Sequence, residues 1–128
     1  MVKKKIRITI QSLETSFRET KKILSEIDRG IFKQHTPTLN FENFQIYKKV
    51  LTPKRLELLR VIKSEKPNNI KGLATVTHRD FKNVYDDVKM LETLGLLKLK
   101  KSNSGFMPIV LYDEIDIDIK IPLEMIYK

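Results

Sequence analysis

An α+β fold, mainly helical, follows from three features of the 128-residue sequence. Isoleucines alternate with polar residues near both ends, the pattern of half-buried strands. Between them Thr52-Pro53, Asn69 and Asp80 each stand ahead of an apolar run of helical period, as helix-start residues do. Two further alternating segments flank Ser102-Asn103-Ser104-Gly105, which predicts a hairpin.

Along the chain, Ile6, Ile8 and Ile10 face one way and Lys5, Arg7 and Thr9 the other, giving a strand. Ser12 caps the next helix, because its hydroxyl can accept from the free amides of the first turn. Leu13, Phe17, Thr20, Leu24 and Ile27 recur at steps of four and three as one stripe, and Gly30 ends the helix. Glu14 with Arg18, and Lys22 with Glu26, are ion pairs on its other faces. Residues 31–40 read as a connector, and 41–51 as a short helix on Phe41, Phe44, Tyr47 and Val50 or Leu51. Thr52 then caps a helix that Pro53 opens; it buries Leu56, Leu59, Val61 and Ile62 and stops before Lys66-Pro67. Asn69 starts a short helix over 70–76 that buries Ile70, Leu73 and the small Ala74. A longer helix follows Thr77-His78-Arg79, with Asp80 or, a turn earlier, Thr77 as its cap. Its stripe is Phe81, Val84, Val88 and Leu91, and Gly95 stops it after Leu94. Strands at 97–101 and 106–112 form the hairpin, and Ile115, Ile117, Ile119 and Ile121 a last strand ended by Pro122.

Lys and Arg number 25 against 16 Asp and Glu, a formal charge of +9 that points to a polyanionic partner. At 41% hydrophobic residues the chain can build a core, and without cysteine it has no disulfide, thiolate or zinc-finger chemistry. No apolar run approaches the ~18 residues of a membrane span, and the start alternates where a signal peptide would be continuously apolar. A soluble cytoplasmic protein with no membrane partner is expected. Residues 113–128 are acidic, with Asp113, Glu114, Asp116, Asp118 and Glu124 against Lys120 and Lys128; they read as a strand with an acidic face or as an internal competitor for a polyanion site.

Helix, short helix, tight turn, longer helix and hairpin, in that order, make a winged helix-turn-helix. Its third helix would point Lys82, Asn83, Asp86 and Lys89 into a major groove, with Arg79 just ahead. Arg can pair with guanine, Asn with adenine, and Asp can accept from cytosine. Lys54, Lys71, Lys98, Lys100, Lys101, Ser102 and Asn103 complete the candidate DNA contacts, chiefly to phosphate. The predicted organisation is 1–51 as a strand–helix–helix element for dimerisation or partner binding, 52–112 as the DNA-binding domain, and 113–128 as a C-terminal strand and tail. Ile8, Leu13, Phe17, Leu24, Ile27, Ile117 and Ile119 are the candidate dimer contacts. The Leu13–Ile27 stripe could equally pack inside its own subunit. The terminal strands are expected to share one sheet, within or between chains, with Arg7 near Asp116 or Asp118.

The runs Leu51-Thr52-Pro53-Lys54-Arg55-Leu56-Glu57-Leu58-Leu59, Arg79-Asp80-Phe81-Lys82-Asn83-Val84-Tyr85-Asp86-Asp87-Val88-Lys89 and Leu91-Glu92-Thr93-Leu94-Gly95-Leu96 resemble the MarR-like winged helix-turn-helix predicted transcriptional regulators of archaea and bacteria. Pro108, Tyr112-Asp113-Glu114, the isoleucine strand and Asp28-Arg29-Gly30 extend the resemblance over most of the chain. It implies a dimeric repressor of double-stranded DNA. Some bacterial members are described as antitoxins, so it also implies a second role: neutralising a cognate toxin through the N-terminal half while autoregulating the operon. Asp86, where relatives place a basic or neutral polar residue, and Gly72, where a helix former is usual, depart from the pattern.

Other classes fit less well. There is no Ser–His–Asp arrangement, no Gly-rich phosphate loop and only four glycines, so no enzyme and no cofactor are expected. His35 and His78 are isolated, and no metal site is expected. An RNA-binding sheet would need an aromatic motif that is lacking. Asp87 reads as a local ion-pair partner, Tyr85 as packing at the edge of the stripe, and His78 as exposed.

Overall fold

The computed structural model describes residues 3–31 and 36–119. In order, these form β1 (Lys5–Ile10), α1 (Leu13–Asp28), β2 (Thr38–Phe41), α2 (Phe44–Val50), α3 (Pro53–Glu65), α4 (Ile70–Thr77), α5 (Phe81–Thr93), β3 (Leu97–Ser102), β4 (Gly105–Val110) and β5 (Glu114–Ile119). The fold is α+β and mainly helical. The chain divides into two compact units, residues 1–4 with 49–114 and residues 5–48 with 115–128. His35, Ile121 and Pro122 lie outside the described residues.

In the first unit, α3, α4, α5 and the β3–β4 hairpin enclose one core of Leu58, Leu59, Ile62, Ile70, Leu73, Ala74, Val84, Val88, Leu91, Leu96 and Leu97, all buried. Each large side chain among them contributes up to roughly 1.5–3 kcal/mol. On α3 the buried row is Leu58, Leu59 and Ile62; the expected Leu56 and Val61 lie about 110° to either side of it and are only half-buried. All three helix starts are side-chain caps. Thr52 accepts from the Arg55 amide at 3.3 Å, Asn69 from Gly72 at 2.7 Å and Asp80 from Asn83 at 3.4 Å. Thr77 is therefore no cap. It closes α4, its hydroxyl donating to the Leu73 and Ala74 carbonyls, and His78 takes a left-handed φ of 55° to turn the chain.

Gly72 has a local reason to be glycine. A Cβ there would stand 3.2 Å from the Asn69 Oδ1 that its amide bonds. Gly95, at φ +78°, ends α5 as expected. The hairpin is antiparallel from Leu97↔Val110 to Ser102↔Gly105, so only Asn103 and Ser104 form its loop.

The second unit has a three-stranded sheet in the order β2-β1-β5. The terminal strands do share a sheet, within one chain, and Arg7 pairs with Asp118 at 2.8 Å. β1 and β2 are parallel, with Arg7↔Thr38 through Ile10↔Phe41. Residues 38–41 are thus a strand and not part of a connector or of the following helix. Central β1 has backbone donors and acceptors on both edges, and the chain leaving α1 satisfies one edge: Arg7 N donates to Pro37 O at 2.9 Å, and Gln11 N to Phe41 O at 3.0 Å. The short helix starts late in consequence, at Phe44, where Asn43 Oδ1 accepts from the Ile46 amide.

Candidate nucleic-acid interface

The α4–turn–α5 segment brings together most of the residues expected at a groove. Lys82, Asn83, Asp86 and Lys89 are all exposed on α5, and Lys54 and Lys71 are exposed on α3 and α4. Lys98, Lys100, Lys101 and Asn103 are exposed along β3 and the hairpin loop. Lys89 is not wholly free: its Nζ donates to Glu92 Oε1 at 2.8 Å, and that hydrogen bond and charge raise its pKa above the usual lysine value.

Arg79 is placed differently from expectation. Its Nη2 lies 2.7 Å from Asp87 Oδ2, while Arg55 Nε holds the other oxygen at 2.9 Å and Arg55 Nη1 donates to the Val50 carbonyl at 2.6 Å. Asp87 is a local ion-pair partner, as the sequence reading has it, but of two arginines, one on α3 and one in the turn. A carboxylate this shielded from water draws in both guanidinium groups, because leaving it unpaired would cost more than fixing two long side chains. Arg79 therefore folds back instead of projecting, and its buried Nη1 has no acceptor. With Thr52, Pro53, Lys54, Asn83 and Asp86, the three residues line an open cleft of about 680 Å³.

Ser102 is also committed within the fold. Its hydroxyl donates to the carbonyls of Asn68 and Gly105, each at 3.0 Å, and is not turned outward for a phosphate. Asn69 secures the same hairpin from the other side. Its Oδ1 caps α4 while its Nδ2 donates to the Ser104 carbonyl at 3.1 Å. The tip is thus held at the N-terminal end of α4, whereas α5 begins beyond the C-terminal end of that eight-residue helix, roughly 12 Å along.

Two aromatic residues also fall outside expectation. Phe81 is no part of the α5 core row, and Tyr85 packs on Phe81 instead of on the core; they are 49% and 42% exposed. Their position 60–100° around the helix from Val84, Val88 and Leu91 is the available signal, since a stripe that wide exceeds what one neighbour can cover.

In the second unit, α1 faces the opposite way from a packing helix. Leu13, Phe17, Leu24 and Ile27 are 50%, 64%, 55% and 46% exposed. The less exposed edge is largely polar: Ser16, Glu19 and Ile23 line a cleft with Arg7, Thr38 and Asn40, and Glu26 is buried. Ile117 and Ile119 on β5 are likewise exposed. Ile8 does not belong with them. It is fully buried on the central strand of the sheet, out of reach of a second chain.

Among the described residues, no group of three His, Cys, Asp or Glu could hold a metal ion, and no helix is long and apolar enough to cross a membrane.

Three helices followed by a two-stranded hairpin, with the third helix exposing a polar row, define a winged-helix protein. The model of the HVO_A0114 family matches residues 50–117, which take in the whole winged helix, and the chain belongs to that family. A solved structure of a MarR family protein from Bacillus stearothermophilus is similar at 17% identity and a TM-score of 0.44, over 77% of this chain and 65% of that one. The chain thus spans just under two thirds of that neighbour's length. No curated protein matches it.

Proposed function

We propose that the protein is a sequence-specific DNA-binding transcriptional regulator, a homodimeric repressor that reads the major groove with α5. The observation that carries this reading is the exposed row Lys82, Asn83, Asp86 and Lys89 on the third helix of a winged helix, in a chain of net charge +9. Asn83 suits adenine and Asp86 suits cytosine; Lys54, Lys71, Lys100 and Lys101 suit phosphates. Arg79 reaches a base only by giving up Asp87. In this reading residues 52–112 contact DNA, and the apolar face of α1, with Ile117 and Ile119, joins two copies.

The test is selection from random duplexes, followed by titration of variants against the recovered site. Asn83→Ala should relax base preference by about 1–3 kcal/mol. Lys100→Ala should weaken all sequences alike and lower the salt dependence by about one ion. A protein that recovers no motif and binds independently of salt is not this regulator. The exposed α1 stripe also supports a second reading, in which a cognate toxin covers that face. Sedimentation separates the two: a wild-type dimer that Phe17→Asp turns into a folded monomer supports the first, and a wild-type monomer that pairs only with a co-expressed toxin supports the second.

A further inference from the structure

Two aromatic rings stand in water on the helix assigned above to the groove. Phe81 opens α5 and Tyr85 lies one turn on, with ring centroids 6.0 Å apart and planes 26° apart. They are not displaced core side chains, because α5 already fills its inward row with Val84, Val88 and Leu91, each fully buried. Leaving stacked rings exposed forgoes the gain from burying them, so a surface that covers them is favoured.

The neighbours on the helix narrow the kind of surface. Going round α5 from the buried row come Phe81 and Tyr85, with Glu92 at an angle between them but towards the C-terminal end, then Lys89 and Lys82 within about a further 60°, then Asp86 and Asn83. A partner that covers the rings must also meet Lys82 and, beyond Tyr85, Lys89, whose charge Glu92 already shares. It has to be anionic nearby and apolar at the point of contact. Duplex DNA satisfies both at one place: thymine C5-methyl groups are the apolar feature of the major groove and are flanked by phosphates.

We propose that the stacked Phe81–Tyr85 pair reads thymine methyl groups, giving the protein a preference for thymine at one or two positions of its site. This rests on the DNA-binding reading above and adds to it a determinant that makes no hydrogen bond. Phe81, at the first residue of α5, lies in the part of such a helix that comes closest to base edges.

The experiment uses the full chain and the duplex recovered by selection, with each thymine replaced in turn by deoxyuridine. That exchange removes the methyl and leaves the pairing edge intact. Affinity should fall about fourfold at one or two positions, the value of burying one methyl-sized group. Phe81→Ala, folded by its melting curve, should bind more weakly and be indifferent to the methyl at those positions. A specific site at which no uracil replacement matters overturns the proposal while sparing DNA binding, and leaves the rings to a protein partner. Undiminished methyl sensitivity in Phe81→Ala overturns it as well. Selection that recovers no motif removes both this proposal and the reading beneath it.

Discussion

Helices α1 and α5 carry apolar side chains at the same three- and four-residue steps, yet they use them in opposite ways. α5 turns Val84, Val88 and Leu91 into the core of the first unit, while α1 turns Leu13, Phe17, Leu24 and Ile27 to solvent and keeps Glu26 inside. Of the other large apolar side chains left exposed among the described residues, only Val76, Phe81, Tyr85 and Phe106 belong to the first unit. The first unit leaves few large apolar side chains in water, and two of its four, Phe81 and Tyr85, lie on the candidate recognition helix. The second has an unfinished apolar flank. Periodicity fixes that a helix has two faces; which face is covered depends on elements distant in sequence.

The sharpest way to break this contrast is a matched pair of truncations. Leu91→Ala should cost about 2–5 kcal/mol in urea unfolding, since it empties a fully enclosed site. Leu24→Ala should stay within about 0.5 kcal/mol in dilute solution and, under the proposed dimer, weaken self-association. Equal losses would mean that α1 packs in its own subunit.

Asp87→Ala comes next, at about 1–3 kcal/mol. It strands two arginines that solvent reaches only in part, so the full cost of breaking a buried pair is reduced. Urea midpoints that do not move would show that the node is incidental. Asn69→Asp should cost about 1 kcal/mol. It keeps the cap oxygen but sets a carboxylate against the Ser104 carbonyl, so amide exchange should quicken at the hairpin tip and much less in α5.

The smallest effect is at Asp113. The Lys63 ammonium first, and the Lys4 amide second, hold its carboxyl below the usual carboxylate range. A carboxylate whose pKa is lowered on folding adds stability above that range, and the contribution is lost as the pH falls through the lowered value. Asp113→Asn should therefore lower the melting temperature slightly at neutral pH, where the carboxylate contributes, and leave the acid end nearly unchanged, so that the acid limb of the melting temperature against pH flattens.

Much of this was legible where the cause is local. Thr52, Ser12 and Asn69 cap helices because one side chain meets an amide three residues on. The hairpin, Gly95 and the exposure of Lys82, Asn83, Asp86 and Lys89 follow from similarly short-range rules. β2 was not legible. Its four residues, Thr38–Phe41, are too short for a pattern, and their partner lies across the whole of α1. Arg79 was misread because its fate rests with Asp87, two turns into α5, and with Arg55, which competes for the same carboxylate. Leu58 escaped for a related reason, since the buried edge of α3 is chosen by α4, α5 and β4 together.

The fastening of the hairpin tip has one more consequence. Hairpin ends are ordinarily where chains accept inserted residues. Here Asn69 and the Asn68 carbonyl grip the tip at a fixed distance from the base of β3, and a Cβ on Gly105 would stand 3.6 Å from the Asn69 Cβ. Adding one residue to each strand would carry the tip about 3.4 Å past its anchor and present the opposite faces of its side chains. The hairpin therefore behaves as a ruler of set length. Exchanging the other side chains along β3 and β4 leaves these fastenings intact, whereas growth in length costs them.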